Sequence, residues 1–268
     1  MDGAQVTAKI KSVNDNGVAV ITLSDPSTLN AAGLDLMNEL GAAVDAAIAD
    51  PSVRAIVLTG EGRGFCSGAN LSGGGATGRG GDAPDGPNQA LLQIYNPFVS
   101  KLRRSPKPLV AAVNGVAAGV GVSLALACDL VVAAESSYFL LAFRRIGLVP
   151  DGGATWMLPR LVGKARAMEL MLLGEKLPAA TALEWGLINR CVPDAETLPK
   201  ALELAQALAS GPKSLGMTRN LVWDSLDAAW HDQLEAEAYA QGDAGRTEDS
   251  REGVMAFIQK RPAAFKGK

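Results

Sequence analysis

Val110–Asp129 reads VAAVNGVAAGVGVSLALACD, and the rest of the chain is organised around it. An apolar strand over 109–113 runs into Asn114-Gly115. A patch of small residues, Ala117-Ala118-Gly119-Val120-Gly121, follows at once. The almost purely apolar run over 122–128 then reads as a buried helix. Glycines at a strand-to-helix junction let backbone N–H groups come close to a guest. The positive end of a helix dipole favours a developing negative charge there. A tight βα turn of an ordinary α/β protein would look the same, and this stretch alone leaves both readings open.

Upstream, β-branched residues over 6–13 and 18–23 bracket Asn14-Asp15-Asn16-Gly17 and predict a hairpin. Residues 33–48 carry Leu34, Met37, Leu40, Val44 and Ile48 at helical spacing, and Asp50-Pro51 stops them. The apolar run 55–59 is a strand of the buried kind. It leads to a second glycine-rich exit, Gly64-Phe65-Cys66-Ser67-Gly68-Ala69-Asn70. The stretch 72–88, with Gly73-Gly74-Gly75 and Gly80-Gly81, is too long and polar for a packed connection. It reads equally as a movable flap over a site or as a plain surface insertion. Residues 89–103 form an amphipathic helix.

Downstream, strands are expected at 130–134, 138–140 and 188–192, and helices at 154–161, 166–173 and 179–185. From Thr197 onward the pattern is helix only, over 198–208, 212–223, 226–241 and 249–259. Strands alternating with helices and followed by helices alone predict an α/β core with a helical C-terminal appendage.

The chain has 268 residues, 48% of them hydrophobic and 20% charged, with a net charge of −3. That is enough to bury a substantial core. No basic run points to nucleic acid, and no apolar run is long enough to span a membrane. The first residues lack a basic segment followed by an apolar one, so no secretory signal is expected. Cys66, Cys128 and Cys191 are far apart and odd in number. They argue against a disulfide framework or a zinc site and point to the cytoplasm.

Several chemistries fail on the residues. Gly60–Gly64 is GxGxG rather than the dinucleotide GxGxxG, and Gly163-Lys164 is followed by Ala165 rather than Ser or Thr. Ser67 lacks the GxSxG frame, and the single histidine, His231, sits in the helical tail as a surface helix residue. No metal-ligand cluster is visible. Two glycine-rich strand exits and one acid remain. Two converging backbone N–H groups make an oxyanion hole. Asp151, in Pro150-Asp151-Gly152 beside Ile146, Leu148, Val149 and Trp156, is either a desolvated base or the N-cap of the helix that follows. On local grounds the cap is the commoner outcome.

Five segments together resemble the crotonase (enoyl-CoA hydratase/isomerase) superfamily: GRGFCSGANL, AAVNGVAAGVGVSLALACDL, IGLVPDGGATWMLPRLVG, ARAMELMLLGEKLPAATALEWGLINRCV and REGVMAFIQKRPAAFKGK. The likeness runs from about residue 6 to the C-terminus. Residues 146–156 bring the chain nearest to the branch of 1,2-epoxyphenylacetyl-CoA isomerases and enoyl-CoA isomerases. The resemblance implies a spiral of ββα units over 1–196, and over 197–268 a helical region that builds a trimer or a hexamer of two trimers. It implies an acyl-CoA substrate, with coenzyme A part of that substrate and no separate cofactor. The thioester oxygen would sit on the N–H groups of Ala69 and Val120. CoA contacts would come from Ser27, Thr28, Ala31, Ser67 and Ala69, and from Phe257 and Lys260 of the tail, which reach a neighbouring subunit.

The departures are informative. Hydratases of the family place two glutamates where this chain has Ser123 and Phe143, and the usual Asp after Gly-Ala is Asn70. Asp151 is the acid at the position where isomerase-like members keep theirs. The expectation is therefore an isomerase that shifts a double bond with one carboxylate. The alternatives are a hydratase or other acyl-CoA enzyme using an acid such as Asp82 or Asp85, and a non-catalytic acyl-CoA binder.

Overall fold

A computed structural model describes residues 8–70 and 87–268. Most of the 72–88 stretch, with Asp82 and Asp85, lies outside the described residues, as does the start of the first expected strand. Two sheets carry the fold. The larger has six strands: β1 (Ile10–Asp15), β2 (Val18–Leu23), β3 (Ala55–Gly60), β5 (Leu109–Val113), β7 (Leu130–Ala134) and β10 (Arg190–Val192), side by side in that order. Only β1 is antiparallel to its neighbour. The smaller sheet is β4 (Gly64–Cys66), β6 (Val116–Ala118), β8 (Tyr138–Leu140) and β9 (Lys176–Pro178), with β9 antiparallel to β8.

The spiral follows from this division. In each of the pairs β3/β4, β5/β6 and β7/β8, the first strand joins the large sheet and the second turns away into the small one. The mixed α/β core is thus what the residues predicted, and the spiral is what the family resemblance implied. The central strands β3, β5 and β7 of the large sheet are buried on both faces, which is why they are continuous apolar runs. Ile56, Leu58, Leu109, Ala111 and Val113 face the main core with helix α1 (Leu34–Ala49). Their alternates, Ala55, Val57, Val110 and Ala112, face helix α7 (Thr197–Ala209). Ala201, Ala205 and Ala209 recur at helical spacing on α7, and their small side chains let it lie close against the strands.

Three short strands, β4, β6 and β9, have no counterpart in the sequence reading, which saw glycine-rich exits at the first two and assigned nothing at the third. Pairing partners, not local pattern, define them. Asn114, between β5 and β6, ties this region together. Its side chain accepts from Gly60 N (3.1 Å) and donates to the carbonyls of Gly62 (2.9 Å) and Gly64 (3.3 Å).

The helix expected over 89–103 is a composite of α2 (Pro87–Ala90), a π turn (Leu91–Tyr95) and α3 (Asn96–Arg103). Pro97 has no N–H to continue an ordinary ladder, and Asn96 N reaches back to Leu91 O instead. Helix α4 is Val120–Leu126, two residues earlier than expected. The run Ala154–Leu173 (α5) is broken at Gly163, matching the two expected helices on either side. After α6 (Ala179–Glu184) and α7 come α8 (Ser214–Ser225), α9 (Trp230–Gly245) and α10 (Glu248–Gln259). Among the described residues no helix is long and apolar enough to cross a membrane.

One ion pair joins α8 to the core. The Asp129 carboxylate accepts from Leu109 N (2.8 Å), Trp223 Nε1 (2.9 Å) and Arg219 Nε (2.8 Å). The same guanidinium donates to the carbonyls of Leu102 (2.8 Å) and Arg103 (2.9 Å).

Candidate active site

The parallel strands β4, β6 and β8 end at one edge of the small sheet, and ligands of parallel sheets bind beyond such carboxyl ends. Their exits are 67–69, 118–120 and 142–149. Together with the π turn they enclose a largely apolar cavity of about 570 Å³. Ala69, Val120, Ser67 and Asp151 all line it, so residues from three separate motifs meet in one space.

The two proposed donors are available. Val120 is the first residue of α4, so its N–H has no acceptor within the helix. Neither it nor Ala69 N donates to any acceptor among the described residues. Gly121 holds the two exits together. A Cβ there would lie 2.3 Å from the Cys66 carbonyl oxygen, so only glycine lets α4 approach β4 this closely.

Asp151 is half-buried, and its Oδ1 is fully buried without a hydrogen-bond partner. Burial pushes its carboxyl up to about 6. It is the one acid among the described residues lining the cavity. The cap reading is overturned: the N-cap of α5 is Gly153, with no side-chain cap bond. Gly152 and Gly153 have φ of +59° and +84°, and these two left-handed residues turn the chain between the acid and the helix.

The surroundings of Asp151 differ from expectation in two respects. Ile146, Leu148 and Val149 line the cavity but are exposed, Val149 by 79%. Trp156 points elsewhere. It stacks near Trp223 (6.5 Å between ring centres) under the guanidinium of Arg103, and donates Nε1–H to Asp227 (3.2 Å). Ser123 is fully buried and donates Oγ–H to the Asp151 carbonyl (3.1 Å). Phe143 is buried and packs beside Gly119 at the cavity wall. Neither position offers a carboxylate.

The CoA-contact residues fall in two places. Ser67 Oγ donates to the Thr28 carbonyl (2.8 Å), and Ala32 N donates to the Gly68 carbonyl (2.8 Å), so the 27–31 turn abuts the Ala69 exit. Ser27 and Thr28 are exposed and Ala31 is buried. Phe257 (84% exposed) and Lys260 sit at the end of α10 and are not among the cavity's lining residues. His231, in the first turn of α9, is exposed on the helix surface as expected.

Sequence reasoning missed Tyr95. It is buried at the end of the π turn, lines the cavity and donates its hydroxyl to the Ala32 carbonyl (2.6 Å). Burial and the charge of Asp151 push its phenol well above the usual range. Tyr95 reads in sequence as one more apolar position of an amphipathic helix. Pro97 two residues on was the available signal of an interrupted ladder.

The sequence profile described as enoyl-CoA hydratase/isomerase matches residues 13–268. The chain belongs to this family. Within the enoyl-CoA hydratase/isomerase family, the chain is 42% identical to the 1,2-epoxyphenylacetyl-CoA isomerase of Escherichia coli, over 95% of this chain and 97% of that protein. It is 44% identical to a probable enoyl-CoA hydratase of Rhodobacter capsulatus, over 94% and 95% of the two chains. The crystal structure of an enoyl-CoA hydratase from Bacillus anthracis superposes with a TM-score of 0.90 at 31% identity, covering 97% of this chain and 100% of that one. The chain is therefore a crotonase-fold enzyme of CoA thioesters, as its motifs implied. Relatives named as isomerases and as hydratases both occur among its matches.

Proposed function

We propose that this enzyme moves a carbon–carbon double bond in an enoyl-CoA thioester, using Asp151 as its only proton carrier. The observation that carries the reading is the Asp151 carboxyl: the one acid lining the apolar cavity among the described residues, unpartnered at Oδ1 and raised to about 6. The thioester oxygen binds between Ala69 N–H and Val120 N–H. From a 3-enoyl thioester the carboxylate takes a proton at C2. The C–H electron pair flows into a dienolate whose charge rests on the thioester oxygen. The protonated acid then returns that proton at C4, leaving the double bond at C2–C3. A single carboxylate suffices because the proton never leaves the site. Each oxyanion donor stabilises the transition state by roughly 3–4 kcal/mol. An apolar wall limits the exchange of that proton with water.

Coenzyme A enters as part of the substrate, and the reaction takes no further cofactor. Ser27, Thr28, Ala31, Ser67 and Ala69 hold it from one subunit. Phe257 and Lys260 reach a neighbour's site in a homotrimer or a hexamer of two trimers, an arrangement supported by their not lining the cavity of their own chain.

The test is isomerisation of a 3-enoyl-CoA by the wild-type enzyme and by Asp151→Asn. The variant should lose roughly 10²–10⁴-fold in kcat and keep its affinity for the acyl-CoA. Full activity of Asp151→Asn would overturn the assignment. A hydratase reading draws support from the Rhodobacter capsulatus relative. Hydration of crotonyl-CoA faster than isomerisation of the 3-enoyl ester would favour it.

A further inference from the structure

Ser123 is not used by the reaction just proposed, yet it is wholly buried at the back of the site and bonded to the acid's own backbone. It lies on α4 one turn after Val120, the residue whose N–H opens that helix. The Asp151 carbonyl accepts twice, from Ser123 Oγ (3.1 Å) and from Ala154 N (3.1 Å). Gly152, the next residue, packs against the same serine. A Cβ on Gly152 would lie 2.9 Å from both Cβ and Oγ of Ser123, and 3.4 Å from Val120 Cγ2. The acid's segment is thus seated on the helix that begins with the oxyanion donor.

That seat opposes a competing placement. An Asp just upstream of a helix gains by turning its carboxylate toward the free N–H groups of the first turn. Here Gly153 holds the cap position, and Trp156 N and Met157 N bond to the Gly153 carbonyl (3.0 and 2.9 Å). The Asp151 carboxyl stays on the cavity side with Oδ1 unsatisfied, a cost that the surrounding contacts must offset.

We infer that Ser123 is a positioning residue: its hydroxyl pins the Asp151 carbonyl to α4, keeping the carboxylate on the cavity wall in register with Val120 N–H and away from the helix cap. The catalytic part of this inference rests on Asp151 being the proton carrier; the geometric part does not.

The groups facing Asp151 set what a titration can read. Tyr95 faces it from the π turn, and Arg145, whose guanidinium donates to the Gly174 carbonyl (2.8 Å), shares the cavity. Arg103 and Arg160 lie over Trp156, beyond the two glycines, at 4.7 and 4.1 Å. Helix α4 carries no titratable side chain. Removing the Ser123 hydroxyl therefore changes no charge near the acid.

The experiment follows the Asp151 carboxyl directly, by infrared difference titration of the protonated C=O band, with Asp151→Asn as the blank, alongside kcat and KM. In Ser123→Ala the midpoint should fall by about one pH unit from about 6, as the carboxylate reaches helix N–H groups. The kcat should drop roughly tenfold or more at little change in KM. Loss of stability alone would lower the melting temperature and leave the midpoint where it was. Gly152→Ala attacks the same seat by crowding Ser123 with a new methyl and should move the midpoint in the same direction. It also provides the measurement if Ser123→Ala does not fold. A wild-type midpoint in either folded variant overturns the inference. Normal turnover by Asp151→Asn overturns the proton-carrier assignment instead, while the shifted midpoint still reports the seat.

Discussion

At the scale of single residues, Asp151 sets the pH behaviour. Its folded value, about 6, lies above the ordinary 3.8. A raised carboxyl favours the folded state in its protonated form. The native state therefore loses stability as pH rises through the window from about 4 to 6, and the loss is complete above it. Asp151→Asn should then be more stable than wild type at pH 7.5 by roughly 1–2 kcal/mol, after allowance for solvent at the cavity mouth, and indistinguishable below about pH 4. Urea unfolding of both proteins at the two pH values checks the sign. With Asp151 in the proposed role of base, isomerase activity should rise with pH through about 6, since a base must be the anion. Val120→Ala should leave kcat within about threefold, since the proposed oxyanion role uses only its N–H; a loss as large as that of Asp151→Asn would displace the backbone donor from that role. Asp151 was legible in sequence because so few alternatives stood beside it, with one histidine in the tail and no ligand cluster. Whether it capped a helix was not legible, since that turned on the left-handed backbone of Gly152 and Gly153. The inward turn of Tyr95 depends on a π register, of which Pro97 was the one sequence sign.

Among the elements, the short strands β4 and β6 matter most to the site and were the hardest to read. A three-residue strand shows too little alternation to be recognised, and its identity comes from the neighbour it pairs with. The long buried strands β3, β5 and β7 announced themselves as continuous apolar runs. The contact between β4 and α4 gives a sharp test. In Gly121→Ala the new methyl would lie 2.3 Å from the Cys66 carbonyl oxygen, a backbone atom that cannot swing away. The two exits must then separate. Thermal unfolding should report a loss of roughly 1–3 kcal/mol. Turnover should fall by about two orders of magnitude even at temperatures where the variant is fully folded, because Val120 N–H moves relative to Ala69 N–H. An active Gly121→Ala enzyme would mean that the spacing of these exits is not critical.

For the whole molecule, the tail helices leave a large apolar area uncovered. Trp230 is 72% exposed, Tyr239 69%, Ile258 66% and Phe257 84%. An isolated soluble chain rarely shows so much. Light scattering should accordingly give a trimer or hexamer mass. Phe257→Asp should raise KM for the CoA ester with little change in kcat, if the residue reaches a neighbour's substrate. A monomer with wild-type KM would refute both. The helical character of the tail was plain from its periodicity. Its attachment was not, because the pairing of Asp129 with Arg219 spans ninety positions and no local pattern encodes it. That attachment bears on how such enzymes can be recombined. Cutting or exchanging the chain before α8 would strip a largely buried carboxylate of its cation and its indole donor, a loss on the order of 3–5 kcal/mol. Chimeras that graft a foreign tail onto this core should therefore fail unless Arg219 and Trp223 travel with Asp129, making these three a minimal set for any cassette swap.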